Sequence, residues 1–387
     1  MKPNMLKLLA AGVCSAALAC GAQAGQGVTD TEVVIGSNGD LSGIFAPFNV
    51  QAIKAAQLVF DEVNAAGGVH GRTIRFVVED HQYQMPKAMA NFNKLVNADQ
   101  AFAMILNLGT PMNLAGFPLM EAKEVANISP LTASKEMLSG NTDFKYAGTS
   151  SYYDQMLAGV DYLVGEKGAE EVCAMYIPSD FGKEIQSGAK TKAEELGKTW
   201  GAETTHKPDE SEFVGALTKL KDAGCDVIAT ALGVRQTIVA VATAKKIGWT
   251  DATFIGSSAA FHEAIAAQPG GITEGYYAAA GWSDYKPRLG DPEVKTWYDA
   301  FKAKFDGEEP GMAAILGNAA AQTLVKGLEA AGPDLNADSF RQGMESLNFR
   351  DPVGDSQFEY SADSHQGADD IVISVVKGGV FEEVARK

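Results

Sequence analysis

The chain has 387 residues, 46% of them hydrophobic and 21% charged, a balance that describes a folded globular protein and excludes disorder. That length exceeds what one ordinary core uses, so two domains are expected. A formal charge of −17 at pH 7 repels nucleic acid and anionic lipid at long range and argues against both as partners.

Residues 1–24 read as an export signal. Lys2 and Lys7 give the positive start, Leu8 to Ala19 the apolar stretch, and Ala22-Gln23-Ala24 the small-residue cleavage motif. Cleavage after Ala24 would release a free periplasmic protein, and acylation of Cys20 would tether it instead. Beyond residue 24 two cysteines remain, Cys173 and Cys225, each at or before an apolar run. An oxidising compartment permits a disulfide between them, and two buried free thiols are the alternative.

The mature chain opens on an apolar run, Val33 to Gly36, followed by the small, polar loop Asp40-Leu41-Ser42-Gly43. Ala52, Ala55, Ala56, Val59 and Val63 then fall on one helical face, and Gly67-Gly68 ends it. Strands are expected at 33–36, 74–79, 102–107 and 127–130, with helices over 47–65, 86–97 and 111–125, each opening near a proline. The alternation then restarts. Strands are expected at 172–177, 203–206, 227–231, 253–256 and 276–280, and helices at 181–196, 213–223 and 237–247. Further helices are expected over 292–305, 312–331 and 338–347, and late strands at 355–359 and 371–377. Two wound units in succession imply two α/β lobes, Rossmann-like, each built on a doubly wound and mostly parallel sheet. Ligands of such sheets sit beyond the carboxyl ends of the strands, so the Ser42 loop is the first place to look for one.

Motifs for catalysis are missing. There is no Gly-x-Ser-x-Gly elbow, no Gly-x-Gly-x-x-Gly after the first strand and no phosphate-cradling Gly-x-x-x-x-Gly-Lys-Ser/Thr. The five histidines (His70, His81, His206, His262, His365) are scattered, without metal-ligand spacing. No cofactor, metal or enzyme activity is expected.

Several phrases carry a family resemblance. Gly39-Asp40-Leu41-Ser42-Gly43, Asn64-Ala65-Ala66-Gly67-Gly68-Val69-His70-Gly71-Arg72, Ile128-Ser129-Pro130, Ser179-Asp180-Phe181-Gly182, Thr253-Phe254-Ile255-Gly256 and Thr273-Glu274-Gly275 occur in this order. Together they resemble the leucine/isoleucine/valine-binding family of periplasmic solute receptors, type I fold, over nearly the whole mature chain. The resemblance implies two lobes joined by three hinge crossings and closing over a small molecule, which a membrane-bound ABC importer then receives. It implies lobes at residues 25–149 with 282–368 and at 150–281 with 369–387, in a monomer. A ligand sensor handing its closed form to a signalling partner is the alternative use of the same fold.

The resemblance also assigns ligand positions. Phe48 follows the first Ser-Gly loop, Thr110 holds the hydroxyl position that binds a carboxylate, and Ala133-Ser134 correspond to the pair after the fourth strand if one residue is inserted. Phe181 stands where the family often has tyrosine. Two departures matter. Ser258 occupies the place of the acid that pairs with an amino acid's ammonium, and Arg235 lies near a position that is often aromatic. A buried ammonium without a counter-charge is costly. The expected ligand is therefore a small organic acid with an aromatic body, walled by Phe48, Phe181 and Trp282. A branched-chain or other amino acid is the alternative, with Asp154 or Asp284 supplying the acid from elsewhere.

Overall fold

A computed structural model describes residues 25–387. The export signal expected over residues 1–24, with Cys20, lies outside the described residues.

One sheet is built from β1 (Glu32–Gly39), β2 (Thr73–Asp80), β3 (Ala103–Ile105), β4 (Ala126–Ile128) and β5 (Lys145–Tyr146), all parallel in the order β2-β1-β3-β4-β5. A second holds β6 (Glu171–Tyr176), β7 (Thr199–Thr205), β8 (Val227–Ala231), β9 (Thr253–Gly256) and β10 (Tyr277–Ala280). A small hairpin, β11 (Asn348–Asp351) with β12 (Ser356–Glu359), stands apart. The chain then returns to the second sheet as β13 (Val372–Lys377) and β14 (Val380–Arg386), for a full order of β14-β13-β10-β9-β8-β6-β7. Only β13 and β14 run antiparallel to their neighbours there. Interior strands such as β8 and β10 are buried on every residue, as strands covered on both faces must be.

The helices of the first lobe are α1 (Ala46–Ala65), α2 (Met85–Asn93) and α3 (Thr110–Glu121). In the second are α4 (Tyr152–Lys167), α5 (Asp180–Glu195), α6 (Val214–Asp222), α7 (Val234–Lys246) and the single turn α8 (Glu263–Ala266). After β10 come α9 (Pro292–Lys304), α10 (Ala313–Ala331) and α11 (Ala337–Glu345). Helix α10 packs on α1 and α11. Gly317 lets it approach so closely that a Cβ there would collide with the Ala52 carbonyl of α1. In the second lobe α4 packs on α5.

Helix α4 was not expected, because Ala158, Gly159 and Gly165 dilute its apolar face. Its boundaries are nevertheless written in the chain. Ser151 caps its start by accepting from the Asp154 N–H at 3.0 Å, and Gly168 ends it at φ 66°. Strand β14 was also unexpected; it is an edge strand whose outer residues are Glu382, Glu383 and Val384. Cys173 in β6 and Cys225 just before β8 form a disulfide, with Cα atoms 5.9 Å apart. This decides between the two readings of the cysteines.

Three segments cross between the sheets, after β5, after β10 and after β12, and they are sewn to one another. Ala147 N–H donates to His365 O (3.0 Å), and Gly367 N–H to Ala147 O (2.9 Å). Ser150 Oγ donates to Asp370 O at 3.1 Å. The middle crossing is held by Ser356 Oγ on Gly281 O (2.9 Å) and by Ser283 N–H on Gly354 O (3.0 Å). Short crossings bonded in parallel bend together, and act as a hinge rather than a tether.

Candidate functional site

The carboxyl ends of β1, β2, β3 and β4 release four loops toward the second lobe, and these loops wall a cavity. Asp40 folds the first loop. Its carboxylate accepts from the N–H groups of Gly43 (2.6 Å) and Phe45 (2.9 Å), which turns Phe45 and Phe48 inward. Ser42 is left exposed, with its hydroxyl on Asp80 at 2.6 Å. The loop after β2 contributes Tyr83.

The floor is Gly109-Thr110 at the start of α3. Gly109 sits at φ 99°, where a side chain would be strained and would crowd the ring of Tyr83. Buried asparagines fix this turn. Asn113 donates to both Gly109 O (2.9 Å) and Asn107 O (3.0 Å), and Asn107 donates to Asn127 (2.8 Å), which donates back to Asn113 (3.1 Å). A closed, satisfied polar network of this kind is rigid. Thr110 and Thr132 pair their hydroxyls at 2.6 Å beside it. Helix α3 has no side-chain cap and no acid in its first turn. Its free N–H groups and its dipole therefore favour an anion at this end of the cavity.

The opposite wall comes from the second lobe. Ser179 caps α5 and places Phe181 in the cavity, and the first residue of α4 is Tyr152. Burial pushes the Tyr152 hydroxyl up to about 12, so it stays protonated and neutral. Rings meet across the cleft. Phe45 stands edge-on to Tyr83 at 4.7 Å and to Phe181 at 6.1 Å, and Phe181 stands edge-on to Tyr152 at 5.3 Å. Trp282, on the middle crossing, and Phe358, on β12, complete the aromatic wall, with Leu108, Leu131, Leu316 and Ala319 between them. Among the described residues, no Asp, Glu, Lys or Arg lines the cavity.

Of the positions singled out in the sequence, Phe48, Thr110, Ala133, Phe181, Ser258 and Trp282 stand on this wall, and Ser42, Ser134 and Arg235 do not. Arg235 is exposed on the first turn of α7, where Val234 and Gln236 take the buried directions. Ser134 is buried, but its hydroxyl is spent on Glu184. Neither alternative acid lines the cavity: Asp154 accepts from Ser151 Oγ at 2.6 Å, and Asp284 accepts from the N–H groups of Lys286 (2.8 Å) and Phe381 (3.2 Å). Reading the sequence missed Phe45, Tyr83, Ser129, Thr132, Thr149, Tyr152 and Phe358. The first four follow strands β1, β2 and β4 directly, so the strand-end rule, applied to every loop, points to them.

Glu184, behind Ser134, accepts from that hydroxyl and from the Lys135 N–H at 2.9 Å. Burial holds its carboxyl above the ordinary range despite these bonds. A carboxyl raised in the fold stabilises it while protonated, and that contribution is lost as pH rises above the unfolded value of ~4.3. Glu184→Gln keeps the shape and removes the charge. The melting temperatures of wild type and E184Q should therefore nearly coincide around pH 4 and separate in favour of E184Q toward pH 7. A gap that stays constant with pH would refute this account.

A family model described as periplasmic binding protein matches residues 32–380. The chain belongs to that family. It is of the leucine/isoleucine/valine-binding type, a type I fold of two lobes that binds solutes and is not an enzyme. The family's location is the periplasm, and among the described residues no helix is long and apolar enough to cross a membrane. This binding protein is 23% identical over 352 residues to a leucine-, isoleucine-, valine-, threonine- and alanine-binding protein of Pseudomonas aeruginosa, covering 90% of this chain and 91% of the relative. Its fold is similar to a fatty acid ABC transporter substrate-binding protein from Thermomonospora curvata (TM-score 0.82, 24% identity, 94% of each chain). It is also similar to a solute-binding protein of R. palustris solved in complex with benzoate (TM-score 0.80, 18% identity, 92% of this chain and 96% of the other).

Proposed function

We propose that this protein captures a small organic acid with an apolar, aromatic body and delivers it to an ABC importer. The observation that carries this reading is the cavity wall: seven aromatic side chains, and no charged one among the described residues. A free amino acid brings an ammonium, and burying that charge without a partner costs several kcal/mol, roughly. Ser258 stands on the wall, and its N–H is spent on Gln155 Oε1 at 2.9 Å. A carboxylate is just as costly to bury unless hydrogen-bond donors meet it. The uncapped start of α3 with the Thr110 hydroxyl offers them, while the rings cover the ligand's body. Lobe closure about the three crossings then presents the importer with a shape that only the loaded protein holds.

A thermal-shift titration of residues 25–387 tests the reading. Aromatic and aliphatic carboxylates without an amine should raise the melting temperature with concentration, by about 2.7 kcal/mol of stabilisation at 100 times Kd. The twenty amino acids should leave it unchanged. Shifts confined to amino acids would sink the organic-acid reading.

A further inference from the structure

Eight buried side-chain polar atoms among the described residues have no hydrogen-bond partner, and three of them, Ser129 Oγ, Thr149 Oγ1 and Trp282 Nε1, belong to residues of this one cavity wall. A buried donor left unpaired is costly, and such groups are rare in native proteins unless something absent from the chain itself satisfies them. The residues of these three atoms lie on neighbouring segments. Thr149 and Trp282 lie on two of the hinge crossings, close enough that a Cβ at Gly281, the residue before Trp282, would collide with Thr149 Oγ1. Gly148 likewise lies so close to Ser129 that a Cβ there would press on Ser129 Oγ. The residues that carry the three unpaired groups thus stand on two crossings and at the end of β4, and none of them belongs to the Gly109-Thr110 turn on the first lobe's floor.

Resting on the organic-acid reading, we infer that the cavity has a second polar pole at the hinge, where Trp282 and Thr149, with Ser129 beside them, hold an uncharged oxygen of the ligand. The preferred ligand class is then a hydroxy- or oxo-substituted acid rather than a plain one. The indole N–H donates only, so the ligand atom it meets is an acceptor, while the two hydroxyls donate or accept. The charges around the two poles decide which end takes the anion. Helix α4, which begins beside Thr149, has its N-terminus capped by Ser151 and carries Asp154 in its first turn, so it repels a carboxylate. Helix α3 has neither a cap nor an acid. The carboxylate goes to α3, and the neutral oxygen goes to the hinge. Because the second pole is made of crossing residues, a ligand that fills it bridges the segments that bend on closure.

The test uses residues 25–387, with Trp282→Phe, which keeps an aromatic ring, though a smaller one, and deletes the donor, and Thr149→Val, which keeps the shape. Binding of benzoate, 4-hydroxybenzoate, 4-oxopentanoate, pentanoate and the neutral 4-hydroxybenzamide is measured by calorimetry. Wild type should bind at least one oxygen-bearing acid about tenfold or more tighter than its plain counterpart, since every 1.4 kcal/mol is tenfold. W282F and T149V should each erase most of that preference, read within each variant as the ratio of its affinities for the substituted and the plain acid. Equal affinities for substituted and plain acids, or a preference that survives both variants, would overturn the second pole. Binding of the neutral amide that depends on Trp282, without binding of any acid, would uphold the pole and sink the carboxylate reading instead. Failure of every oxygen-bearing compound to bind overturns the pole.

Discussion

Replacing Cys173 and Cys225 together by alanine should lower the unfolding free energy of the second lobe by about 4 kcal/mol. The bridge closes a loop of 52 residues, and cross-linking a loop of that length removes about this much chain entropy from the unfolded state at 25 °C. The sulfurs join strands already paired in the sheet, since Val172 stands opposite Val227, so the bond demands no rearrangement of the fold. Both cysteines are buried, and neither lines the cavity. Ligand affinity of the folded variant should therefore match wild type. Denaturant unfolding of the double variant, with reduced wild type alongside, measures the loss. A change below about 1 kcal/mol in both would mean that the bridge contributes nothing of the kind. A bond of this sort persists in an oxidising compartment, in keeping with the periplasmic family to which the chain belongs.

The interior of each sheet was legible because strands buried on both faces leave unbroken apolar runs. The strands expected at Val227–Ala231 and Thr253–Gly256 match β8 and β9 residue for residue. Helix ends were legible where glycine follows, as at Gly197, Gly224 and Gly248, all with positive φ. What escaped lies at edges. Strand β11 was not expected, since only Asp351 of its four residues is buried, and β14 buries only Phe381 while Glu382, Glu383 and Val384 face water. Helix α4 escaped for a different reason: its caps are strong but its apolar face is thin.

At the site, the sequence pointed to the right loops but not always to the right side chains. Ser42 and Phe45 share one loop, and the backbone bonds of Asp40 decide that the phenylalanine turns inward and the serine outward. No spacing rule states that, because it depends on which N–H groups one carboxylate collects. Arg235 and Ser134 fail to reach the cavity for similar local reasons. Tyr152 was hidden because the helix it begins was not expected, and Thr149 stands at the expected lobe boundary, where no strand end or helix start marks it.

Phe181→Ala should weaken ligand binding by about 3 kcal/mol, or roughly 100-fold in Kd. Two losses combine. The ring is 4% exposed in the closed cavity, and removing a buried phenylalanine from a ligand's wall forfeits roughly 1.5–3 kcal/mol of burial. It also carries the edge-on contact with Phe45 that crosses the cleft, and an aromatic pair adds about 0.5–1.5 kcal/mol. The second loss falls on closure, not on the ligand. Phe181→Leu separates the two: it refills most of the wall but lacks the ring that meets Phe45 and Tyr152, so it should lose only about 1 kcal/mol. Small-angle scattering supplies the second readout. Ligand at saturation should contract wild type and Phe181→Leu alike, while Phe181→Ala should contract less at the same occupancy. A Phe181→Ala protein that binds within threefold of wild type would mean that the ring neither walls the ligand nor helps the lobes meet.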